Sequence, residues 1–335
     1  MTHAANLTAT EFAALVQTAN LAPSVHNTQP TRWRREVAGR VLVFEDVARR
    51  LPVGDPQGRD ADVSHGAAIE GFAMACAAAG RSVGVELLAG AASNGLRPVA
   101  RLTLGDGAPP DPLAAFVPQR RTYRGRFAKV DDLTPLGALD GLAAAEDVGL
   151  VRDAQGLDRL ARLNDQAGLG VFRDGAYRAE LLSWMRLSPG HPGWALDGLN
   201  AEAMQMSRFE AAGAGLVLKP GVFETLDRLG VASLFVAEAA VVRSAQAIVL
   251  FHRPDTEHPL ITGRRFYRLW LDIAALGLSA APMAVLADDE QTRATIAREF
   301  AIPPGRRLIT AFRLGLAPPA ARPPKPRLPV EALIC

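Results

Sequence analysis

Residues 66–80 read GAAIEGFAMACAAAG, and residues 263–277 read GRRFYRLWLDIAALG. Each runs from a glycine to a glycine over the same interval. Ile69, Phe72, Ala73 and Cys76 fall in the first where Phe266, Leu269, Trp270 and Ile273 fall in the second. That is the i, i+3, i+4, i+7 spacing of one buried helix face, closed by a C-terminal glycine. The flanks agree. Apolar runs at 41–44 and 247–251 precede these helices, and runs at 98–105 and 308–315 follow them. All four read as strands. Each half also opens on a helix start: Thr8-x-x-Glu11 is a capping box, and Thr134-Pro135 sets an N-cap before a proline at the first helical position.

Elements matching in order predict an α+β protein of two modules, 1–117 and 118–335. The second holds an extra stretch, about 186–232. It carries five glycines between Gly190 and Gly215 and three large apolar anchors, Trp194, Met204 and Met206. Such a stretch reads either as a glycine-hinged lid or as a helical hairpin packed on the core.

The chain has 335 residues, 49% of them apolar and 21% charged, enough for a sizeable core. Its 37 basic and 35 acidic side chains leave a net charge of +2. That balance argues against a dedicated nucleic-acid binder. Only Cys76 and Cys335 are thiols, which makes neither a disulfide framework nor a zinc set. The start, MTHAANLTATEF, has no basic segment followed by a long apolar one, and no apolar run reaches a membrane span. A reduced, cytoplasmic protein without a membrane or nucleic-acid partner is the expectation.

The common chemical signatures are missing. There is no phosphate-binding G-x-x-x-x-G-K-[ST], no G-x-G-x-x-G, no H-E-x-x-H and no G-x-S-x-G. The six histidines show no metal-ligand spacing, so no metal is expected. Four other stretches carry polar chemistry. Residues 22–30, APSVHNTQP, crowd Ser24, His26, Asn27 and Gln29 onto a proline-stiffened turn. Arg120-Arg121-Thr122-Tyr123-Arg124 offers guanidinium forks and a hydroxyl, suited to phosphate but equally readable as a solvated charge run. Residues 277–284, GLSAAPMA, form a turn of small residues that lets a flat ligand approach the backbone. Residues 322–329, RPPKPRLP, place Lys325 and Arg327 on a stiff tail. Together they suit a flat, hydrogen-bonding ligand with one phosphate.

At these residues the sequence resembles the FMN-dependent nitroreductases. APSVHNTQP resembles their P-S-x-x-N-x-Q-P turn, RRTYR their R-R-S-x-R/K opening, GLSAAPMA their turn after the central helix, and PKPRLP their C-terminal lysine-x-arginine. Two modules in one chain resemble the Acg-like subgroup, whose monomer mimics a nitroreductase homodimer. The resemblance implies a nitroreductase-like α+β sandwich and a pseudo-dimeric monomer able to pair again. It implies FMN reduced by NAD(P)H, with electrons passed to a nitroaromatic, quinone or enone. By carry-over, Ser24, Asn27 and Gln29 meet flavin or polyol. Arg120, Arg121, Thr122 and Arg124 hold phosphate and ribityl. Ser279, Pro282, Met283 and Ala284 lie against the ring, and Lys325 and Arg327 complete the phosphate site. No side-chain acid is required for this chemistry; His26, beside the turn, reads either as a proton donor or, more often for a turn histidine, as a structural residue.

These motifs are not duplicated, so one FMN per chain is expected, with the module 1 site degenerate. Two departures stand out. Thr31 follows the Gln-Pro where many relatives have an aromatic, and Ala284 stands where many have glutamate. A lid-closed protein that sequesters FMN is the rival reading. A flavin-free interaction module using the proline-rich tail is a third.

Overall fold

The computed structural model describes residues 7–129, 137–319 and 321–335. The Thr8 capping box forms: Thr8 Oγ1 accepts from Glu11 N while the Glu11 carboxylate accepts from Thr8 N, and helix α1 (Ala9–Ala19) follows. Thr134-Pro135, the other expected helix start, lies outside the described residues.

The first half contains β1 (Thr31–Arg35), β2 (Arg40–Asp46), α2 (Arg59–Ala78), β3 (Arg81–Leu87) and β4 (Leu96–Asp106). The strands form an antiparallel sheet in the order β1-β2-β4-β3. In the second half α3 (Leu139–Ala143) leads to β5 (Val148–Val151). There follow α4 (Ala154–Arg173), α5 (Gly175–Trp184), the short pair β6 (Met185–Arg186) and β7 (Leu199–Asn200), α6 (Arg208–Val217) and α7 (Val222–Arg228). The chain then makes β8 (Ala247–Pro254), α8 (Pro259–Ala275), β9 (Ser279–Met283), α9 (Glu290–Glu299) and β10 (Arg306–Gly315). This second sheet is also antiparallel and runs β5-β8-β10-β9. Both sheets therefore share one strand order, with a long helix between the second and third strands in sequence.

The halves differ in one connection. Four residues, 36–39, join β1 to β2, whereas residues 152–246 join β5 to β8. The added stretch is thus longer than the 186–232 expected, because its amphipathic helix α4 reads like any core helix. Residues 279–283, expected as a turn, are strand β9, paired in register with residues 311–315 of β10. Their small side chains hide a strand from propensity reading, and Ala280 and Ala281 are buried without bulk.

The helices α2 and α8 pack against each other between the sheets. Apolar residues of both halves join one core there: Trp33, Ile69 and Phe72 with Leu260, Tyr267 and Leu271 of α8. Trp33 stacks on Phe72 with ring centroids 5.0 Å apart. Trp270 and Phe312 anchor a core of the second half, centroids also 5.0 Å apart. The C-terminal arm returns to the first half. Trp33 N donates to Leu333 O at 2.8 Å and Cys335 N donates to Trp33 O at 2.9 Å, so the arm lies alongside β1. Cys76 and Cys335 are free thiols, and desolvation pushes Cys76 up to about 12. No described helix is long and apolar enough to cross a membrane.

Candidate functional site

The 22–30 turn is wound tightly. His26, Asn27 and Gln29 have φ of 44°, 55° and 49°, a left-handed region that Asn and His tolerate better than most side chains. Its own polar groups hold it there. Ser24 Oγ accepts from Gln29 N at 2.9 Å, and Ser64 Oγ of α2 accepts from Val25 N at 3.1 Å. Asn27 Oδ1 accepts from Arg327 Nη1 at 2.9 Å while its Nδ2 donates to Pro326 O at 3.2 Å. Gln29 Oε1 accepts from Leu328 N at 2.8 Å. The turn is therefore laced to the C-terminal tail, some 300 residues away in sequence.

The tail brings its cations to the pentapeptide. Arg327 donates to Asn20 O, Leu21 O and Ala22 O, and Arg120 donates to the same Leu21 O at 3.0 Å. Lys325 Nζ and Arg121 Nη1 both donate to Pro118 O, at 2.9 and 3.0 Å. Arg120 is 3% exposed and lies 4.5 Å over the Trp270 ring. Its Nε and Nη1 are buried with no hydrogen-bond partner. Arg120, Arg121, Lys325 and Arg327 thus share one place, and their hydrogen-bond partners are backbone carbonyls and the Asn27 amide oxygen. Among the described residues no carboxylate pairs with any of them. The electrostatic result is large. Desolvation, then the neighbouring Arg120, Arg121 and Arg327 charges, lower Lys325 to about 6. Desolvation and Arg120 lower Arg327 to about 9. Buried cations without counter-charges cost free energy, and an anion placed among them would offset that cost.

The pentapeptide also meets the small-residue strand. Tyr123 N donates to Ala280 O at 3.0 Å, and Thr122 pairs with Ala280 in a parallel bridge. Ser279, Pro282 and Met283 follow along β9, and Ala284, exposed, ends it. Arg124 is half-buried beside His26, whose Nδ1 is buried and unpartnered. Desolvation, helped by the Arg124 charge, lowers His26 to about 4. His26 is therefore neutral at pH 7, and a neutral imidazole is a weak acid for proton donation.

The added stretch reaches the turn as well. Gln29 Nε2 donates to Leu196 O at 2.9 Å, and Gly198 N donates to Asn27 O at 3.2 Å. Between them, Asp197 accepts from Arg49 at 3.0 Å and from Arg186 at 2.8 Å, and Arg49 also donates to Thr28 O. Of the 186–232 anchors, Met204 and Met206 pack on a small core with Leu181, Met185 and Leu218.

The sequence thus named every motif that meets here, but not Ser64, Arg49, Asp197 or Tyr267. No short motif marks them; they arrive through tertiary packing. A half-buried carboxyl, Asp60, was missed too. Desolvation and the Asp55 carboxylate push it up to about 7. A cavity of about 520 Å³ lies elsewhere, between Pro52, Val53, Glu180 and Trp184. Its charged walls are already satisfied, Arg186 by Asp197 and Arg50 by Glu45, whereas the cation cluster is not. Among the described residues no group of three or more His, Cys, Asp or Glu is placed to hold a metal ion.

No protein-family model matches the chain. Over 175 residues it is 31% identical to "Putative NAD(P)H nitroreductase Rv3131" of Mycobacterium tuberculosis, covering 49% of this chain and 47% of the relative. Over 71 residues it is 45% identical to "Putative NAD(P)H nitroreductase acg" of the same organism, 21% of each chain. At 47%, the chain spans about half the length of the first of these curated relatives. Among solved structures, "a putative nitroreductase from anabaena variabilis" aligns over 94% of this chain and 91% of its own, at 10% identity and a TM-score of 0.47. The FMN-dependent nitroreductase NfnB of Mycobacterium smegmatis, solved with NADPH, aligns over 64% of this chain and 93% of its own, at 19% identity and a TM-score of 0.38. The sequence matches thus carry the same word, nitroreductase, that the four motifs suggest.

Proposed function

We propose that the protein is an FMN-dependent oxidoreductase of the nitroreductase kind, drawing on NAD(P)H and reducing a small nitroaromatic, quinone or enone. The observation that carries this reading is the group of cations Arg120, Arg121, Lys325 and Arg327, gathered without a carboxylate. Such a group suits one phosphate, and the orphaned Arg120 Nε and Nη1 fit its oxygens. The nitroreductase names of the sequence relatives point to the same chemistry.

The residues present fit FMN, and each has a task in that reading. Arg120, Arg121, Lys325 and Arg327 hold the phosphate, with Thr122 and Arg124 along the ribityl chain. Ser279, Pro282, Met283 and Ala284 offer a lean strand edge to a flat ring, and the Met283 and Ala284 backbone serves where relatives have a glutamate. Ser24, Asn27 and Gln29 give much of their hydrogen-bonding capacity to the protein itself, so they act chiefly by fixing the turn against the site. Bound there, FMN supplies hydride transfer at its N5. Arg124 and the phosphate cations would supply positive charge to a bound anionic group.

One site per chain follows from the same residues. With Gly66 matched to Gly263, the place of Tyr267 beside Arg120 is taken in α2 by Glu70, which is paired with Arg264 and Arg268. A carboxylate there repels phosphate. We therefore read the halves as two modules in one chain, with the first module's site degenerate.

A second reading has its own observation. Leu196 and Gly198 bond the 22–30 turn directly and Asp197 reaches it through Arg49; read as a lid held shut, this segment would make an FMN-sequestering protein with little turnover. The deciding experiment is NAD(P)H oxidation by the FMN-loaded protein with a quinone or nitroaromatic. Steady consumption supports the oxidoreductase; bound FMN that NAD(P)H does not reduce supports sequestration.

A further inference from the structure

Tyr267 of α8 has no exposed surface, and its hydroxyl is buried with no hydrogen-bond partner among the described residues. A tyrosine taken into a core usually finds a partner for its hydroxyl, because a bare polar group there costs free energy. The ring is held in place. It packs in the core shared by α1, α2 and α8, and Gly71 of α2 makes the space for it. A Cβ on Gly71 would lie 3.4 Å from Tyr267 Cε1 and 3.3 Å from Ala19 Cα.

The surroundings of the hydroxyl are cationic. Arg120 Cζ lies 5.9 Å from the ring centroid. Desolvation, opposed by the charges of Arg120 and Arg327, raises the phenol above its usual 10, so it keeps its proton at neutral pH. Arginine only donates. Even a bond from Arg120 to the phenol oxygen would leave the hydroxyl proton unspent. The free hydrogen-bonding capacity here is therefore all donor: the Tyr267 hydroxyl with Arg120 Nε and Nη1. The carbonyls beside them are in use. Leu21 O accepts from Arg120 Nη2 at 3.0 Å and from Arg327 Nη2 at 3.2 Å, which fills its two lone pairs. Asn20 O and Ala22 O accept from Arg327 as well. A water placed among these groups would accept readily, but its own two protons would compete for carbonyls already bonded to arginine. A fully ionised phosphate accepts and does not donate, so it suits a corner whose free groups are all donors.

We propose that the Tyr267 hydroxyl is a phosphate-binding donor, and that with Arg120 it makes the site select FMN over phosphate-free riboflavin. The inference rests on the flavin reading for its ligand and adds a specificity-determining residue to it. Tyr267 is the residue whose place in α2 is taken by Glu70, so the same position separates the loaded half from the degenerate one.

The test compares wild type with Tyr267→Phe, which keeps the ring and its packing. Binding of FMN and of riboflavin is followed by flavin fluorescence. Thermal midpoints are taken on the flavin-free proteins with and without inorganic phosphate. Tyr267→Phe is expected to weaken FMN binding about tenfold or more and to leave riboflavin binding unchanged. It is expected to raise the flavin-free midpoint, since an unpartnered buried hydroxyl is gone, and to reduce the stabilisation given by inorganic phosphate. Equal FMN affinity in the two proteins, or an equal loss for FMN and riboflavin, overturns the inference and leaves the flavin reading standing. A lower flavin-free midpoint together with weaker FMN binding also overturns it, because it assigns the hydroxyl to holding Arg120. A wild type that takes up no flavin, yet is stabilised by phosphate only when Tyr267 is present, removes the flavin reading and keeps the hydroxyl as an anion donor. A wild type indifferent to FMN and phosphate alike overturns both.

Discussion

Gly66 of α2 and Gly263 of α8 stand at the crossing of the two central helices, and each leaves room for the other helix's backbone. A Cβ on Gly66 would lie 1.9 Å from Leu260 O, and one on Gly263 would lie 2.1 Å from Val63 O. Both glycines open the repeated stretch, so the repeat ties itself together at its own equivalent residue.

That contact makes a stability prediction. Neither helix can yield to an added methyl without moving backbone. Gly66→Ala or Gly263→Ala is expected to cost about 3 kcal/mol or more, beyond the usual overpacking penalty, read as a lower urea midpoint. Gly58→Ala, where a Cβ meets nothing within 4 Å, is the control for positive-φ strain alone (its φ is 69°). A smaller loss at Gly66 than at Gly58 would contradict the close crossing.

Lys325 should pull stability and binding in opposite directions. In the protein alone its charge is held down by desolvation and by three arginines. Lys325→Met is therefore expected to raise the thermal midpoint of the FMN-free protein. The same change removes a charged contact to phosphate, worth about 1.5–3 kcal/mol, so FMN affinity is expected to fall at least tenfold. Arg121→Ala should also weaken FMN retention. Arg327→Ala should do so with a loss of folding stability, because Arg327 also ties Asn20, Leu21, Ala22 and Asn27 together.

A proton should accompany the ligand. Lys325 titrates at about 6 in the protein alone, so at pH 8 it is mostly neutral. A bound phosphate restores its charge and raises its pKa, so binding takes up a proton and affinity falls as pH rises above 6. Calorimetry in buffers of different ionisation enthalpy is expected to report close to one proton taken up per FMN at pH 8. Lys325→Met should report none.

Acid should unfold the first half through His65. This imidazole is fully buried, shares a 2.9 Å hydrogen bond with Thr31 Oγ1, and is lowered to about 4 from 6.5 by desolvation. A depressed folded-state pKa means its contribution is whole above pH 6.5 and is lost as pH falls through 4. The loss amounts to about 3 kcal/mol at most. Urea midpoints measured from pH 7 to pH 4 are expected to fall, and to fall less in a His65→Gln variant.

Much of this was legible in the chain itself. The repeat announced two α+β halves because a buried helix face and a terminal glycine leave a periodic mark. The motifs around Asn27, Arg121 and Lys325 stood out because prolines and arginines are conspicuous, and the structure brings them together. Strand β9 was not legible, since Ser279 to Met283 lack the branched side chains that betray strands. Nor was the extent of the added stretch, as α4 carries an ordinary amphipathic pattern. Arg49 and Asp197 escaped notice because an ion pair between residues 148 positions apart leaves no local trace.

That ion pair offers a test between the enzyme and the sequestering reading. Arg49 ties Thr28 O and Asp197 together. Arg49→Ala is expected to loosen the 196–198 segment and speed reduction by NAD(P)H, up to about tenfold for one lost charged hydrogen bond. Stopped-flow traces of the flavin absorbance measure this. An unchanged rate would show that the segment does not gate access.

The most direct measurement of the central claim is a titration of flavin-free protein with FMN, followed by anaerobic addition of NADPH. The account predicts saturation at one FMN per chain and bleaching of the bound flavin. Protein that takes up no FMN, or that saturates at two, would contradict it.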